Sequence, residues 1–386
     1  MSAAPMEFLH NLVHRPRQLW LRRALFQIHL WAGIALSLYV VVIALSGSIL
    51  VFENELTGTT LPRGLSAWDP SRTASIPDVM RRFAQACPGC AASLLVTPYP
   101  AVPAFQIRAV DTQHRQLGFI ADPVSGAVLP QPRTWVDWMH DLHLYLLLGN
   151  EHGEQVNGVG AAILLLLCVT GLFLWWQGIR NWSRGLRISL RSHWRRINFD
   201  AHHAIGIWTI AIVTWWSISG VYFAWYGPLE RAINAVFPVR AMLSPPMPPL
   251  APHNGASASL RAIVAAAQHA SPRGRLFAIY NPSLTEATVF VQMDLRDPGN
   301  FAHRDLVTIE TSSARVLTVW HYGDNVTLGD WILWSMFTLH FGTVWGLPVK
   351  ILWCLLGVSL AVLSITGLIM YWNRYLRHQL GRRSSP

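Results

Sequence analysis

Four histidines stand in two duplicated settings at the mouths of long uncharged runs, and they are the residues best placed to do chemistry. Arg22–Leu56 aligns without a gap over Arg195–Leu229, with ten identities in 35 positions. The identities include Arg22/Arg195, Arg23/Arg196, His29/His202, Gly33/Gly206, Ser46/Ser219 and Gly47/Gly220. Met139–Gly149 aligns over Met336–Gly346, matching Leu142/Leu339 and His143/His340. One residue out of that register, Thr170-Gly171-Leu172 matches Thr366-Gly367-Leu368. An imidazole in lipid is costly without a partner. Two equivalent pairs suggest bis-histidine haem, whose iron takes axial imidazoles on opposite faces and so draws them from different helices.

His29 and His202 follow the arginine pairs by six or seven residues, a turn or two into the lipid. If the repeats pack as a pseudo-dimer, one b-type haem takes His29 and His202, and a second takes His143 and His340. Gly33 and Gly206 lie four residues on, hence on the same helix face, where a porphyrin can approach the backbone. Arg22, Arg23, Arg195 and Arg196 are placed to neutralise propionates. The competing reading is that each histidine only bonds a neighbouring helix, which requires the same coincidence at two independent sites. His203 is the alternate to His202, but the residue opposite it is Leu30. His140 is the alternate to His143, but its counterpart is Phe337. Zinc or copper could use His140 and His143, yet no cysteine or carboxylate cluster completes such a site.

The elements that must hold these residues follow from charge. Of 386 residues only 13% are charged, against about 25% in an ordinary soluble domain. Ala24–Phe52, Gln155–Ile179, Ala201–Leu229 and Ile351–Asn373 are uncharged. Each exceeds the roughly 20 residues that cross a bilayer, and each must be helical because lipid leaves backbone groups no other partner. Trp20, Trp31, Trp175, Trp176, Trp225 and Trp372 sit near span ends, as in interfacial belts. Segments 1–25, 177–200 and 373–386 hold fourteen Arg and only Glu7 and Asp200 as acids. The net charge of +10 is therefore a positive-inside signal and not a nucleic-acid surface. It implies a multi-pass protein of a bacterial inner membrane with both termini cytoplasmic and two domains in the periplasm. Trp331–Val349 is also uncharged, but Gly342, Gly346 and Pro348 break it. It reads, like its counterpart, as a short helix at or dipping into the outer interface.

The expected order is a basic N-terminus and first span (1–52), a first periplasmic domain (53–137), and an interfacial helix with the second span (138–179). A basic cytoplasmic loop (180–200), third span (201–226) and second periplasmic domain (227–330) follow. An interfacial helix with the fourth span (331–373) and a basic tail (374–386) complete it. The fold class is thus a mainly α membrane protein, a four-helix bundle of two pseudo-symmetric repeats with two α+β domains. Each of those reads as one helix (Ile76–Ala86, Leu260–His269) on a small antiparallel sheet. The first sheet takes Ser93–Val96, Ala104–Val110, Leu117–Ala121 and Val128–Leu129. The second takes Leu276–Tyr280, Ala287–Met293, Asp305–Ile309 and Arg315–Trp320.

With Arg22-Arg23…His29-x-x-x-Gly33, Leu142-His143, Arg195-Arg196…His202-His203-x-x-Gly206, Leu339-His340 and the Thr-Gly-Leu triplets, the chain resembles the PepSY-associated transmembrane family of bacterial inner-membrane proteins. Asp122-Pro-x-Ser-Gly looks like the closing hairpin of a PepSY module. Within the family it looks most like the dihaem ferric-siderophore reductases of the ferrioxamine B reductase type. That resemblance implies two haem b, outward electron transfer and a ferric siderophore substrate, the hydroxamate type included. It does not identify the donor, which could be cytoplasmic or a quinone. A non-enzymatic PepSY regulator, or a dihaem oxidoreductase for quinone, copper or a disulfide, are the alternatives.

The remaining signals are weaker. Cys87-Pro88-Gly89-Cys90 lacks a thioredoxin-like context and reads as a structural disulfide of an oxidising compartment. Ser46-Gly47, Thr170-Gly171, Ser219-Gly220 and Thr366-Gly367 read as small residues for close helix packing. No Rossmann fingerprint, P-loop, serine elbow or H-E-x-x-H is present, so electrons must come from another protein or a small carrier.

Overall fold

The computed structural model describes residues 10, 13–14, 19–248, 257–296 and 302–376. Most of the basic N-terminal arm, and the tail from Arg377, lie outside the described residues. The elements run α1 (Trp20–Leu50), α2 (Glu53–Thr59), α3 (Ile76–Ala86), β1 (Ala91–Val96), β2 (Phe105–Val110), β3 (Gln116–Ala121) and β4 (Val128–Pro130). Then come α4 (Trp135–Tyr145), α5 (Asn150–Trp175), α6 (Trp194–Ala224), α7 (Tyr226–Val236) and α8 (Leu260–Ala270). Last are β5 (Arg275–Tyr280), β6 (Thr288–Asp294), β7 (Arg304–Glu310), β8 (Val316–Tyr322), α9 (Leu328–Phe341) and α10 (Leu347–Tyr371). The chain divides into two compact units: Met1–Val51, Met139–Leu229 and Leu339–Pro386 form one, and Phe52–Trp138 with Glu230–Thr338 the other.

The first unit is a bundle of α1, α5, α6 and α10, the four helices among the described residues that are long and apolar enough to cross a membrane. Helices α1 and α6 start before the uncharged windows, because Arg22, Arg23, Arg195 and Arg196 continue the helix into the polar zone. The bundle closes in the order α1–α10–α6–α5, with α1 and α6 on opposite corners. Leu36, Val40, Ala44, Cys168, Val213, Leu360 and Ala361 fill its middle. Leu38, Trp208 and Leu355 remain exposed, as a lipid-facing surface requires.

The second unit is a sheet with helices on one face. Ser75 caps α3 by accepting from the Asp78 N–H at 3.3 Å, and Ser259 caps α8 by accepting from Ala262 at 3.2 Å. Val79 and Phe83 of α3, and Ile263 and Ala267 of α8, share one core with Leu95, Ile107, Ile279 and Ile309. The strand order is β4-β3-β2-β1-β5-β6-β7-β8 in a single eight-stranded antiparallel sheet. This corrects the expectation of a separate small sheet in each of 53–137 and 227–330. Strands β1 and β5 pair as Leu94↔Tyr280, Leu95↔Ile279 and Val96↔Ala278. Separate sheets would leave both strands as open edges, and the pairing removes those edges.

Two capping boxes launch the helices that lead to His143 and His340. Asp137 accepts from the Thr134 N–H at 2.7 Å ahead of α4. Asp330 accepts from the Thr327 N–H at 2.9 Å ahead of α9. Asp330 also accepts from the N–H groups of Arg240, Ala241 and Met242 at 2.8, 2.9 and 3.1 Å. Burial pushes its carboxyl up, but backbone donation from Thr327, Arg240 and Met242 outweighs that and holds it well below the usual carboxylate range. Cys87 and Cys90, at the end of α3, are joined as a disulfide.

Candidate functional site

The bundle carries two levels of histidine. At the arginine-rich end, His29 on α1 and His202 on α6 line one cavity of about 990 Å³, at the upper end of the range for cofactor pockets, about 300–1,000 Å³. Gly33 and Gly206 line the same cavity. A Cβ added at either would meet protein no closer than Leu167 at 3.9 Å or Leu363 at 3.8 Å, so these glycines border open space. At the other level, the His143 and His340 rings have centroids 6.3 Å apart and planes inclined by 60°.

The hydrogen bonds of these rings repeat. His29 Nδ1 meets Thr170 Oγ1 at 2.9 Å and His202 Nδ1 meets Thr366 Oγ1 at 3.0 Å. His143 Nδ1 meets Ser46 Oγ at 3.1 Å and His340 Nδ1 meets Ser219 Oγ at 2.7 Å. All four contacts use Nδ1 and leave Nε2 as the nitrogen open to a ligand. The glycine after three of these hydroxyls seats the ring. A Cβ at Gly47 would lie 2.8 Å from His143 Cε1, one at Gly171 3.2 Å from His29 Cε1, and one at Gly367 3.4 Å from His202 Cε1. Only Gly220 faces another helix, with Ala161 Cβ at 2.9 Å. The reading of the Ser-Gly and Thr-Gly pairs as plain helix packing therefore holds for Gly220, while Gly47, Gly171 and Gly367 each lie against an imidazole. Their recurrence beside the histidines in both aligned segments was the available signal.

The histidine-bearing helices α4 and α9 are tied down at their ends. Asn157 donates to the His143 carbonyl at 2.7 Å and the Leu144 carbonyl at 3.1 Å. Trp353 Nε1 donates to the Leu339 carbonyl at 2.7 Å. These satisfy carbonyls that a helix end leaves orphaned. Gly149 and Gly346, at φ +83° and +77°, then turn the chain into α5 and α10, a backbone shape that favours glycine.

Of the four arginines read as propionate partners, Arg22, Arg23 and Arg195 line the cavity. Arg22 also donates to the Trp176 carbonyl at 2.9 Å and to Phe173 at 3.3 Å, capping α5. Arg196 is not among the lining residues; it pairs with buried Asp200 at 2.9 Å. Arg374 lines the cavity and was not anticipated; its guanidinium lies over the Phe26 ring at 5.0 Å. Among the alternates, His203 also lines the cavity, its ring tilted against Phe199 with centroids 4.0 Å apart and Nδ1 held by the Phe199 carbonyl at 2.9 Å. His140 Nδ1 lies 3.7 Å from Asp141.

The spacing of one histidine pair suits two imidazoles on one haem iron. With an iron–nitrogen bond of about 2.0 Å and each nitrogen about 1.1 Å from its ring centroid, two trans imidazoles place their centroids about 6.2 Å apart. His143 and His340 stand at 6.3 Å. Among the described residues no group of three or more His, Cys, Asp or Glu is arranged to hold a metal ion. The family described as the PepSY-associated TM region matches residues 26–374. The chain belongs to that family. No curated protein matches it. As a PepSY-associated TM protein with four helices among the described residues long and apolar enough to cross a membrane, it is a membrane protein, and the four histidines lie in the unit that holds those helices.

Proposed function

We propose that this protein moves electrons across a bacterial inner membrane through two b-type haems and reduces ferric siderophore iron on the periplasmic side. The observation that carries the reading is the facing of His143 and His340, with centroids 6.3 Å apart and each Nδ1 held by a serine. The haems would supply one-electron chemistry at both membrane faces. The chain's own residues do the rest. His29 and His202 would hold one group and His143 and His340 the other, pseudo-symmetrically. Gly33 and Gly206 keep the first cavity open, while Arg23, Arg195 and Arg374 give it positive charge for propionates. Val40, Cys168 and Leu360, which line that cavity and pack in the bundle's middle, would form the apolar barrier to water and ions between the two levels.

In this reading the arginine-rich ends and both termini are cytoplasmic, supported by the positive-inside pattern, and the sheet unit is periplasmic, supported by its Cys87–Cys90 disulfide. The siderophore substrate rests on the family resemblance. Reducing Fe(III) weakens its hold on hard oxygen donors and releases the iron. The donor is a cytoplasmic protein or a quinol. Pyridine haemochrome analysis of the purified chain should give two haems, and His29→Ala should remove one and spare the other. Stopped-flow mixing of the reduced protein with ferric hydroxamates should reoxidise it. A chain without a Soret band after haem-supplemented expression would refute the haem reading and favour a non-enzymatic regulator. Haem that stays reduced with every ferric siderophore would refute the substrate.

A further inference from the structure

Four imidazoles are each met by a hydroxyl on a neighbouring helix. We infer that Ser46, Thr170, Ser219 and Thr366 are positioning residues that fix the tautomer and the electron donation of the axial ligands, in a crossed arrangement. The inference rests on the haem reading of the histidine pairs and deepens it.

The direction of the proton follows from where each hydroxyl spends its own. Ser46 donates to the Val42 carbonyl at 2.7 Å, Thr170 to Leu166 at 2.8 Å, Ser219 to Trp215 at 2.8 Å and Thr366 to Leu363 at 2.9 Å. With the hydroxyl proton committed to its own helix, the oxygen meets the imidazole as an acceptor. The proton in the contact therefore sits on Nδ1, and the lone pair sits on Nε2. That is the tautomer an iron binds through Nε2. His202 shows the same sense twice, since its Nδ1 also lies 3.1 Å from the Leu363 carbonyl, which can only accept.

The crossing is a matter of helix length. Helix α1 carries His29 near its arginine end and Ser46 about 25 Å further along, at about 1.5 Å per residue. Ser46 serves His143, which precedes α5. Helix α5 returns and delivers Thr170 to His29. Helices α6 and α10 repeat this with His202, Ser219, His340 and Thr366. Each hydroxyl therefore acts at the level opposite to the histidine that its own helix carries or follows. Residues 22–172 orient two imidazoles without help from 195–368, and the converse holds, so each ligand is set before iron arrives.

Donation from Nδ1–H makes the ligand nitrogen more basic and favours Fe(III) over Fe(II). Removing the acceptor should raise the midpoint potential of that haem. A tenfold loss of ferric preference corresponds to about 59 mV for one electron. The test is spectroelectrochemical titration of the purified full chain with Thr170→Val, which keeps the shape and loses the acceptor, and Thr170→Ser, which keeps the acceptor. Thr170→Val should raise only the haem that is lost in His29→Ala, and Thr170→Ser should restore it. Ser46→Ala should raise the other haem. Ser359→Ala should move neither, because its hydroxyl also donates along α10, to Leu356 at 2.6 Å, but meets no imidazole. If Thr170→Val loses its haem outright, retention in Thr170→Ser at the wild-type potential supports the inference, and loss in both overturns it. Two haems whose potentials ignore Thr170→Val sink this inference alone. A wild-type chain with no haem sinks the haem reading beneath it.

Discussion

Adding one methyl group at Gly47 separates an imidazole seat from ordinary helix packing. In Gly47→Ala the new Cβ would lie 2.8 Å from His143 Cε1. That is short by about 0.7 Å of the roughly 3.5 Å at which carbons sit in contact. The ring, held at Nδ1 by Ser46, must swing by about that amount. An iron–imidazole bond is only about 2.0 Å long, so the displacement should break or strain axial ligation. Overpacking also costs stability, about 1–3 kcal/mol. Gly220→Ala is the matched control. It stands opposite Gly47 in the aligned segments, and its Cβ would meet Ala161 Cβ at 2.9 Å, so the overpacking is similar and no ring is touched. Haem content, the low-spin spectrum and thermal stability would be measured for both. Gly47→Ala should lose one low-spin haem or convert it to high spin. Gly220→Ala should lose a similar amount of stability and keep both low-spin spectra. If Gly47→Ala keeps two unaltered haems, the assignment of Gly47 as a seat for a ligand is wrong.

Two further outcomes follow from the geometry. Gly33→Leu should fold, because a Cβ there meets only Leu167 at 3.9 Å, yet it fills part of the cavity; the haemochrome should fall to one per chain, and two per chain would refute the cavity as a haem site. Asp330→Asn places an amide donor among five backbone N–H groups, from Arg240, Ala241, Met242, Val326 and Thr327, and should cost about 3 kcal/mol locally. Because the folded carboxyl is held below its usual value, the wild-type contribution is whole above about pH 4 and is lost as pH falls toward the folded value. Amide exchange at Arg240–Met242, corrected for intrinsic rates, should lose protection on acidification in the wild type and show no such dependence in Asp330→Asn; parallel loss in both would contradict this.

Much of the architecture was legible because each element carries its own signal. Uncharged windows longer than a bilayer mark the spans whatever else the chain does, and alternating runs mark strands to within one or two residues of β1–β8. Ser-Gly and Thr-Gly were visible as repeats, but small residues serve packing and seating alike, and only the neighbour across the gap tells them apart. Gly47 and Gly220 make the point, since they are identical in sequence setting and meet an imidazole and an alanine respectively. Arg22 and Arg196 looked interchangeable with Arg23 and Arg195, until one was found capping α5 and the other bound to Asp200.

Composition thus marks the membrane class and four helices long enough to span, and the aligned segments mark which histidines stand opposite one another in sequence, since these depend on patterns local to a few turns of chain. The merger of β1 with β5, the facing of His143 with His340, and the partner each hydroxyl takes were decided only by folding. Those contacts join segments far apart in the chain, and their energy depends on which surfaces lie within a few ångströms of one another, a quantity that no local pattern of residues encodes.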